Sequence, residues 1–189
     1  MRTYSEIKYS RISQVDIRRV IEEYEQYLNR GQYIKSDMLR AFHSKGYVGY
    51  KAEDGGQIVG IISGRTGIAF TYPHLELEAE LREYVSGRDV YTVDSLLVLP
   101  EYRHQGIARH LIDDMRKWLL RAGIKLALAE IWIYPDGTIP AATAFSCLGR
   151  TLFQRRISMF YKENRTYQIE CPICGKNCCC GAVIKIFLL

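Results

Sequence analysis

Three groups of residues have types and spacings that suit chemistry. The first lies in the segment 101–112, "EYRHQGIARHLI", where Arg103, Gly106 and Ala108 form an R-x-x-G-x-A pattern between a strand-like run and an amphipathic stretch. A glycine that opens a helix after a buried strand leaves the first-turn amides facing outward, and those donors together with the helix dipole favour an anion. Gly106 has no side chain and Ala108 a small one, so a phosphate can approach the backbone of Gln105, Gly106, Ile107, Ala108 and Arg109. The pattern is neither the G-x-x-x-x-G-K-S/T loop of nucleoside-triphosphate sites nor the G-x-G-x-x-G dinucleotide fingerprint.

The second is Asp94, a carboxylate inside the otherwise apolar run "DVYTVDSLLVLP". Desolvating such a group is costly unless it is hydrogen-bonded or kept charged for a purpose; a structural carboxylate bonded to backbone amides is the alternative. The third is the cysteine set. Of six cysteines, Cys147 stands alone and five fall in "CPICGKNCCC". That crowding does not resemble a disulfide framework. Cys171 and Cys174 form a C-P-x-C-G turn, and Cys178 with Cys180 supplies a second pair, so four thiolates can close a tetrahedral structural zinc site. Cys179 can replace either neighbour, and a redox pair or free thiols is the alternative use of the same cluster.

These groups need elements to position them. The pattern predicts a strand over 5–12 and a helix from about Asp16 that carries Val20, Ile21, Tyr24 and Leu28 on one face. A short helix through Ile34, Met38, Leu39 and Phe42 comes next. A hairpin then turns at "EDGG", and a connection over 66–88 holds the acidic helical stretch "LELEAELREYV". The 90s strand ends at Pro100. The following helix buries Ile107, Leu111, Ile112, Met115, Trp118 and Leu119 and stops at Gly123. A nearly continuous apolar strand, "IKLALAEIWIY", reads as covered on both faces. A helix through Ala141, Ala144, Phe145 and Leu148 and the strand "RTLFQRRISMFYK" complete the series. The order β, α, α, β, β, β, α, β, α, β implies one α/β domain of the α+β type, a single mixed, mostly antiparallel sheet flanked by helices, over 1–165. Residues 166–189 are expected to form a separate cysteine-rich tail, whose "GAVIKIF" has strand character and is free to pair with the core sheet or a second subunit.

With 189 residues, 48% hydrophobic and 25% charged, the chain supports one packed core. No apolar run reaches the length of a bilayer span, and the N-terminal residues lack the apolar core of a signal peptide, so a cytoplasmic protein that makes no membrane contact is expected. The net charge of +5 is spread among acids, which argues against a nucleic-acid footprint.

The run "VDSLLVLPEYRHQGIARHLI" resembles the central strand and pyrophosphate loop of the GNAT superfamily of acyl-CoA-dependent N-acyltransferases. The resemblance implies acetyl-CoA as cosubstrate, its pantetheine arm paired with backbone groups of Leu96, Leu97 and Val98 and its diphosphate on the amides of 103–109. It also implies direct transfer of the acetyl group to an amine-bearing acceptor, with Asp94 where many members place a Glu that accepts the amine proton. The phenol that members often carry in the helix after the next strand is missing: Phe145 or Ser146 stands there, and Thr138 replaces a common Asn. Tyr134 is the nearest phenol in sequence and the candidate general acid. Glu76, Glu78, Glu80 and Glu83 either guide a cationic amine or form a solvated helix face. The rival function is a catalytically degenerate binding module, its zinc knuckle and the cations Arg150, Arg155, Arg156, Lys162 and Arg165 contacting protein or RNA. A homodimer is compatible with either.

Overall fold

The computed structural model describes residues 6–28, 34–67, 75–160 and 170–189. Among the described residues, seven strands form one sheet: β1 (Lys8–Arg11), β2 (Tyr47–Asp54), β3 (Gln57–Thr66), β4 (Val90–Val98), β5 (Leu126–Ile133), β6 (Arg150–Ile157) and β7 (Gly181–Leu188). Their order across the sheet is β1-β2-β3-β4-β5-β7-β6, and β4–β5 is the parallel pair in an otherwise antiparallel arrangement. The helices are α1 (Ile17–Tyr27), α2 (Ile34–Phe42), α3 (Leu75–Val85), α4 (Ile107–Arg121) and α5 (Ala142–Phe145).

Both faces of the sheet are covered. On one, Ile107, Leu111, Ile112, Met115 and Leu119 of α4 pack on Val59, Tyr91, Ala127 and Ala129. On the other, Val20 of α1 joins Ile58, Ile61 and Leu97, while Leu77, Leu81 and Val85 of α3 cover Val90, Leu128 and Ile184. This double covering explains why β5 reads as an almost unbroken apolar run.

Two sequence expectations change. The helix after β5, read as extending to Leu148, is only four residues long. Its chain tightens into i→i−3 bonds, with Cys147 N and Leu148 N donating to Ala144 O and Phe145 O at 3.1 Å each. Residues 181–188, grouped with the cysteine-rich tail and left free to pair with the core sheet or a second subunit, take the first course and form β7 in the interior of the main sheet. Gly181–Leu188 pairs along its whole length with β5, from Ile133↔Gly181 to Leu126↔Leu188, and on its other side with β6. The physical reason is burial: "GAVIKIFL" exposes almost nothing on either face and needs a ladder partner on each side. The cysteine segment therefore lies on the connection between β6 and β7, two strands of the same sheet.

Candidate active site

The site begins with a fault in the sheet. β4 pairs with β3 as far as Val98, but the β3–β4 register jumps from Ser63↔Ser95 to Gly64↔Val93, leaving Asp94 as the extra residue of a β-bulge. Gly64 faces this bulge, and a side chain there would collide with the Thr92 carbonyl. A bulge increases local twist and re-aims the side chain it carries. Beyond it, β4 parts from β5: the parallel ladder runs from Val90↔Leu126 to Val93↔Ala129 and stops. The backbone of Leu96, Leu97 and Val98 thus keeps its β3 partners but has no ladder partner on the β5 side.

The first residues beyond the last ladder pair are Asp94 on β4 and Glu130 on β5, both acids. Asp94 is paired side-on with Arg65 of β3, whose Nε and Nη2 donate to Oδ2 and Oδ1 at 2.9 and 3.1 Å. The Tyr24 hydroxyl of α1 donates to the Asp94 carbonyl oxygen at 3.2 Å. Burial pushes the Asp94 carboxyl above the usual aspartate range, and the hydrogen bonds and charge of Arg65 offset part of that rise. With 23% of its side chain exposed, Asp94 is desolvated yet reachable. Burial also raises the Tyr24 phenol, followed by the negative charges of Asp94 and Glu130, so both carboxylates act on this hydroxyl.

At the end of β4 the chain turns through a short 3-10 segment, Pro100–Tyr102, into α4. Arg103 Nε donates to Val98 O at 3.1 Å and Gln105 Nε2 to Glu101 O at 3.2 Å, bracing the loop from within. His104 has φ 61° and Gly106 φ 82°, both left-handed. No protein atom would lie within 4 Å of a Cβ at Gly106, so the glycine is required by its backbone angle and not by protein packing. The first amide to close a bond within α4 is His110 N, to Gly106 O at 3.0 Å, and the cap receives no side-chain bond. The amides of Ile107, Ala108 and Arg109 consequently face out of the helix N-terminus, beside the unpaired edge of β4. Donors and partial positive charge converge there, an arrangement that suits a diphosphate.

Tyr134 follows β5 directly and caps a turn, its N–H donating to Thr138 O at 2.8 Å. Burial raises its phenol, the charge of Arg103 opposes the rise, and Cys180 and Cys171 add to it. This phenol therefore sits within electrostatic reach of both the anion loop and the cysteine cluster. Of the acidic helix, Glu80 is taken up by Arg155 of β6 at 2.7 Å and Glu83 is exposed. The side chains of Glu76 and Glu78 lie outside the described residues, as do Lys162 and Arg165.

The thiol sulfurs of Cys171, Cys174, Cys178 and Cys180 all lie within 4.8 Å of one another. The Cys171–Cys180 and Cys174–Cys180 separations are 3.9 and 3.5 Å. A zinc tetrahedron with metal–sulfur bonds of about 2.3 Å has edges of about 3.8 Å. The turn is braced as a metal-binding knuckle requires: Cys171 and Gly175 exchange backbone hydrogen bonds of 3.1 and 2.8 Å, and Ile173 N–H points at Cys171 Sγ at 3.4 Å. Cys171 and Cys180 are buried. Burial would raise the Cys174 thiol but hydrogen bonds from Cys179 and Cys180 hold it below the usual range, whereas burial pushes the Cys178 thiol up to about 11 and the Cys180 thiol higher still, so those two resist ionisation by themselves. A divalent cation reverses that preference by deprotonating its thiol ligands.

Arg65, Tyr24 and Glu130 are not singled out by the sequence. Glu130 carries the signal that marks Asp94, one carboxylate in an apolar strand, "LALAEIWI". Arg65 and Tyr24 carry none, because their role depends on the β3–β4 register and on where α1 lies.

Among the described residues, no helix is long and apolar enough to cross a membrane. No curated protein matches the chain. Among solved structures it is similar to NAA60 of Arabidopsis thaliana in complex with a bisubstrate analogue, at TM-score 0.69 and 16% identity, over 97% of this chain and 99% of that one. The same protein in complex with acetyl-CoA matches at TM-score 0.68 and 15% identity, over 97% and 99%. The ribosomal-protein-S18-alanine N-acetyltransferase of Escherichia coli matches at TM-score 0.61 and 15% identity, over 97% and 94%. At these identities the likeness is one of fold. The family model described as "Acetyltransferase (GNAT) family" matches residues 14–145, most of the sheet together with the bulged β4 and the loop into α4, and the chain belongs to that family.

Proposed function

We propose that the protein is an acetyl-CoA-dependent N-acetyltransferase that moves the acetyl group directly to a primary amine. The observation that carries this is the divergence of β4 from β5 directly beside the outward-facing amides of α4. A thioester arm laid along Leu96, Leu97 and Val98 as an added strand would meet backbone with no ladder partner from β5, where the Val98 carbonyl is held by Arg103 Nε, and its diphosphate would meet the amides of 103–109. In the neighbours' complexes, acetyl-CoA or a bisubstrate analogue is bound by proteins of the same fold.

The chemistry needs a proton acceptor. An alkyl amine with pKa near 10.4 is neutral about once in a few thousand molecules at pH 7, a cost of about 4 to 5 kcal/mol before attack. Asp94 is suited to accept that proton, because burial lifts its basicity, Arg65 holds its orientation, and the bulge aims it at the point of divergence. The amine nitrogen attacks the thioester carbonyl, the carbon–sulfur bond breaks, the amine proton passes to Asp94, and coenzyme A leaves as thiolate. A thiolate with pKa near 8.5 leaves readily near neutrality, so Tyr134 is required at most to shorten its lifetime.

Cys171, Cys174, Cys178 and Cys180 would hold a structural zinc, closed to substrate by four sulfur ligands. A binding module dependent on a basic cluster is less favoured, since Arg155 is engaged by Glu80. A panel of amines assayed with acetyl-CoA by thiol release tests the proposed activity: acceptor-dependent release is expected, and its absence for small amines and peptide amines alike contradicts it.

A further inference from the structure

The cysteine cluster is not remote from the acyl-CoA gap. Past Ala129 the β4–β5 ladder stops, and Glu130, Ile131, Trp132 and Ile133 continue in the sheet through their ladder with Ile184, Val183, Ala182 and Gly181 of β7. That half of β5 is the wall of the gap facing Leu96–Val98. The residue before Gly181 is Cys180, fully buried and 3.5 Å from Cys174 Sγ and 3.9 Å from Cys171 Sγ. At the far end of β7, Leu188 pairs with Leu126 and Arg150, and Leu189 N donates to Lys125 O at 3.0 Å. A strand's register is exact to one residue, since a slip of one exchanges its two faces. β7 is buried on both faces apart from the half-buried Lys185 and Leu188, and a metal-held Cys180 adds a fixed end to the register its side chains favour.

We propose that metal bound by Cys171, Cys174, Cys178 and Cys180 sets the start and register of β7, and through β7 the position of the β5 wall, so that metal occupancy controls acyl-CoA affinity. This rests on the zinc and acetyl-CoA assignments made above. The site then acts as a clamp on the catalytic sheet, in contrast to a tail whose loss leaves the main domain untouched. Tyr134 lies one residue beyond β5, at the end of the strand that the clamp would hold.

The test uses the full chain, purified under reducing conditions. Zinc content is measured first, then the metal is stripped with a chelator and restored with zinc or cadmium. Acetyl-CoA affinity is measured by calorimetry and backbone exchange by mass spectrometry in each state. The clamp predicts about one zinc per chain, at least a tenfold loss of acetyl-CoA affinity on stripping, and recovery on add-back. It also predicts that amides of 130–133 and 181–184 lose protection while those of β2 and β3 keep theirs. Unchanged affinity and unchanged protection in stripped protein overturn the clamp and leave the zinc assignment standing. Protein that binds neither zinc nor cadmium overturns both. If acetyl-CoA fails to bind even the zinc-loaded protein, the cofactor assignment fails, and the exchange at 130–133 and 181–184 still decides whether metal holds the strand. Cys171→Ser with Cys174→Ser puts folding itself at risk, so the wild-type protein with metal removed and returned is the deciding sample.

Discussion

Replacing Gly106 separates the cost to the fold from the cost to the cofactor. Its φ of 82° lies where an L-residue is strained, and a Cβ there meets no protein atom within 4 Å. Gly106→Ala should therefore destabilise the free protein only through the backbone, by about 1 to 2 kcal/mol, a fall in Tm of roughly 2 to 8 °C for a chain of this size. Gly106→Glu should melt no lower than the alanine variant, because a carboxylate at the N-terminus of α4 recovers about 0.3 to 1 kcal/mol from the dipole. Ligand should reverse that order. Wild-type protein at a hundredfold excess over the dissociation constant gains about 2.7 kcal/mol from acetyl-CoA, several degrees in Tm. The glutamate competes with the diphosphate for the amides of Ile107, Ala108 and Arg109, so its ligand-induced shift should vanish, while alanine retains part. Thermal melts of the three proteins with and without acetyl-CoA decide it. A Gly106→Glu protein that keeps the full shift refutes the placement of the diphosphate on this turn.

Other perturbations read different parts of the site. Asp94→Asn should lower turnover at neutral pH with acetyl-CoA binding intact, and the deficit should shrink as pH rises and free amine becomes abundant. Arg65 lowers a carboxyl that burial has raised, so Arg65→Gln should move the acidic limb of the kcat/KM profile to higher pH; a profile that stays in place removes Asp94 as the titrating base. In the cluster, Cys179→Ser should retain zinc and Cys178→Ser should lose it, as elemental analysis would show, since the four mutually close sulfurs include Cys178 and not Cys179. Far from the site, burial would raise Asp16, but hydrogen bonds from Lys51, Ser13 and Arg19 outweigh it and hold the carboxyl far below the usual range. Its contribution is present above an unfolded pKa near 3.9 and is lost as pH falls below it. Asp16→Asn, which removes one of the two carboxylates on the nearly buried Lys51 and leaves Glu53 at 2.8 Å, should cost about 1 to 3 kcal/mol at pH 7 by denaturant titration.

Local signals locate most of the candidate chemistry. The glycine turn, the carboxylate in an apolar strand and the C-P-x-C-G knuckle are each determined by a few neighbouring residues. Asp94 is legible because an acid among valines and leucines is anomalous wherever the strand lies. Its ion pair with Arg65 is not, because the bulge that sets their register is a property of two strands, and the paired residues stand 29 positions apart. The place of β7 is illegible for the same reason. Its apolar run announces a strand, but insertion between β5 and β6 is a long-range choice that no periodicity records. α5 errs in the opposite direction: helix-favouring alanines suggest more turns than the tightened chain before Gly149 allows.

The proposed function requires acetyl-CoA to lie along the edge of β4 beyond its ladder with β5, with its diphosphate on the start of α4. Amide exchange of the zinc-loaded protein with and without saturating acetyl-CoA tests that placement directly. Protection should rise at Leu96, Leu97 and Val98 and across His104 to Arg109, with β1 and β2 unaffected. Saturable binding that leaves those amides unchanged, or protection confined to another part of the chain, would contradict it.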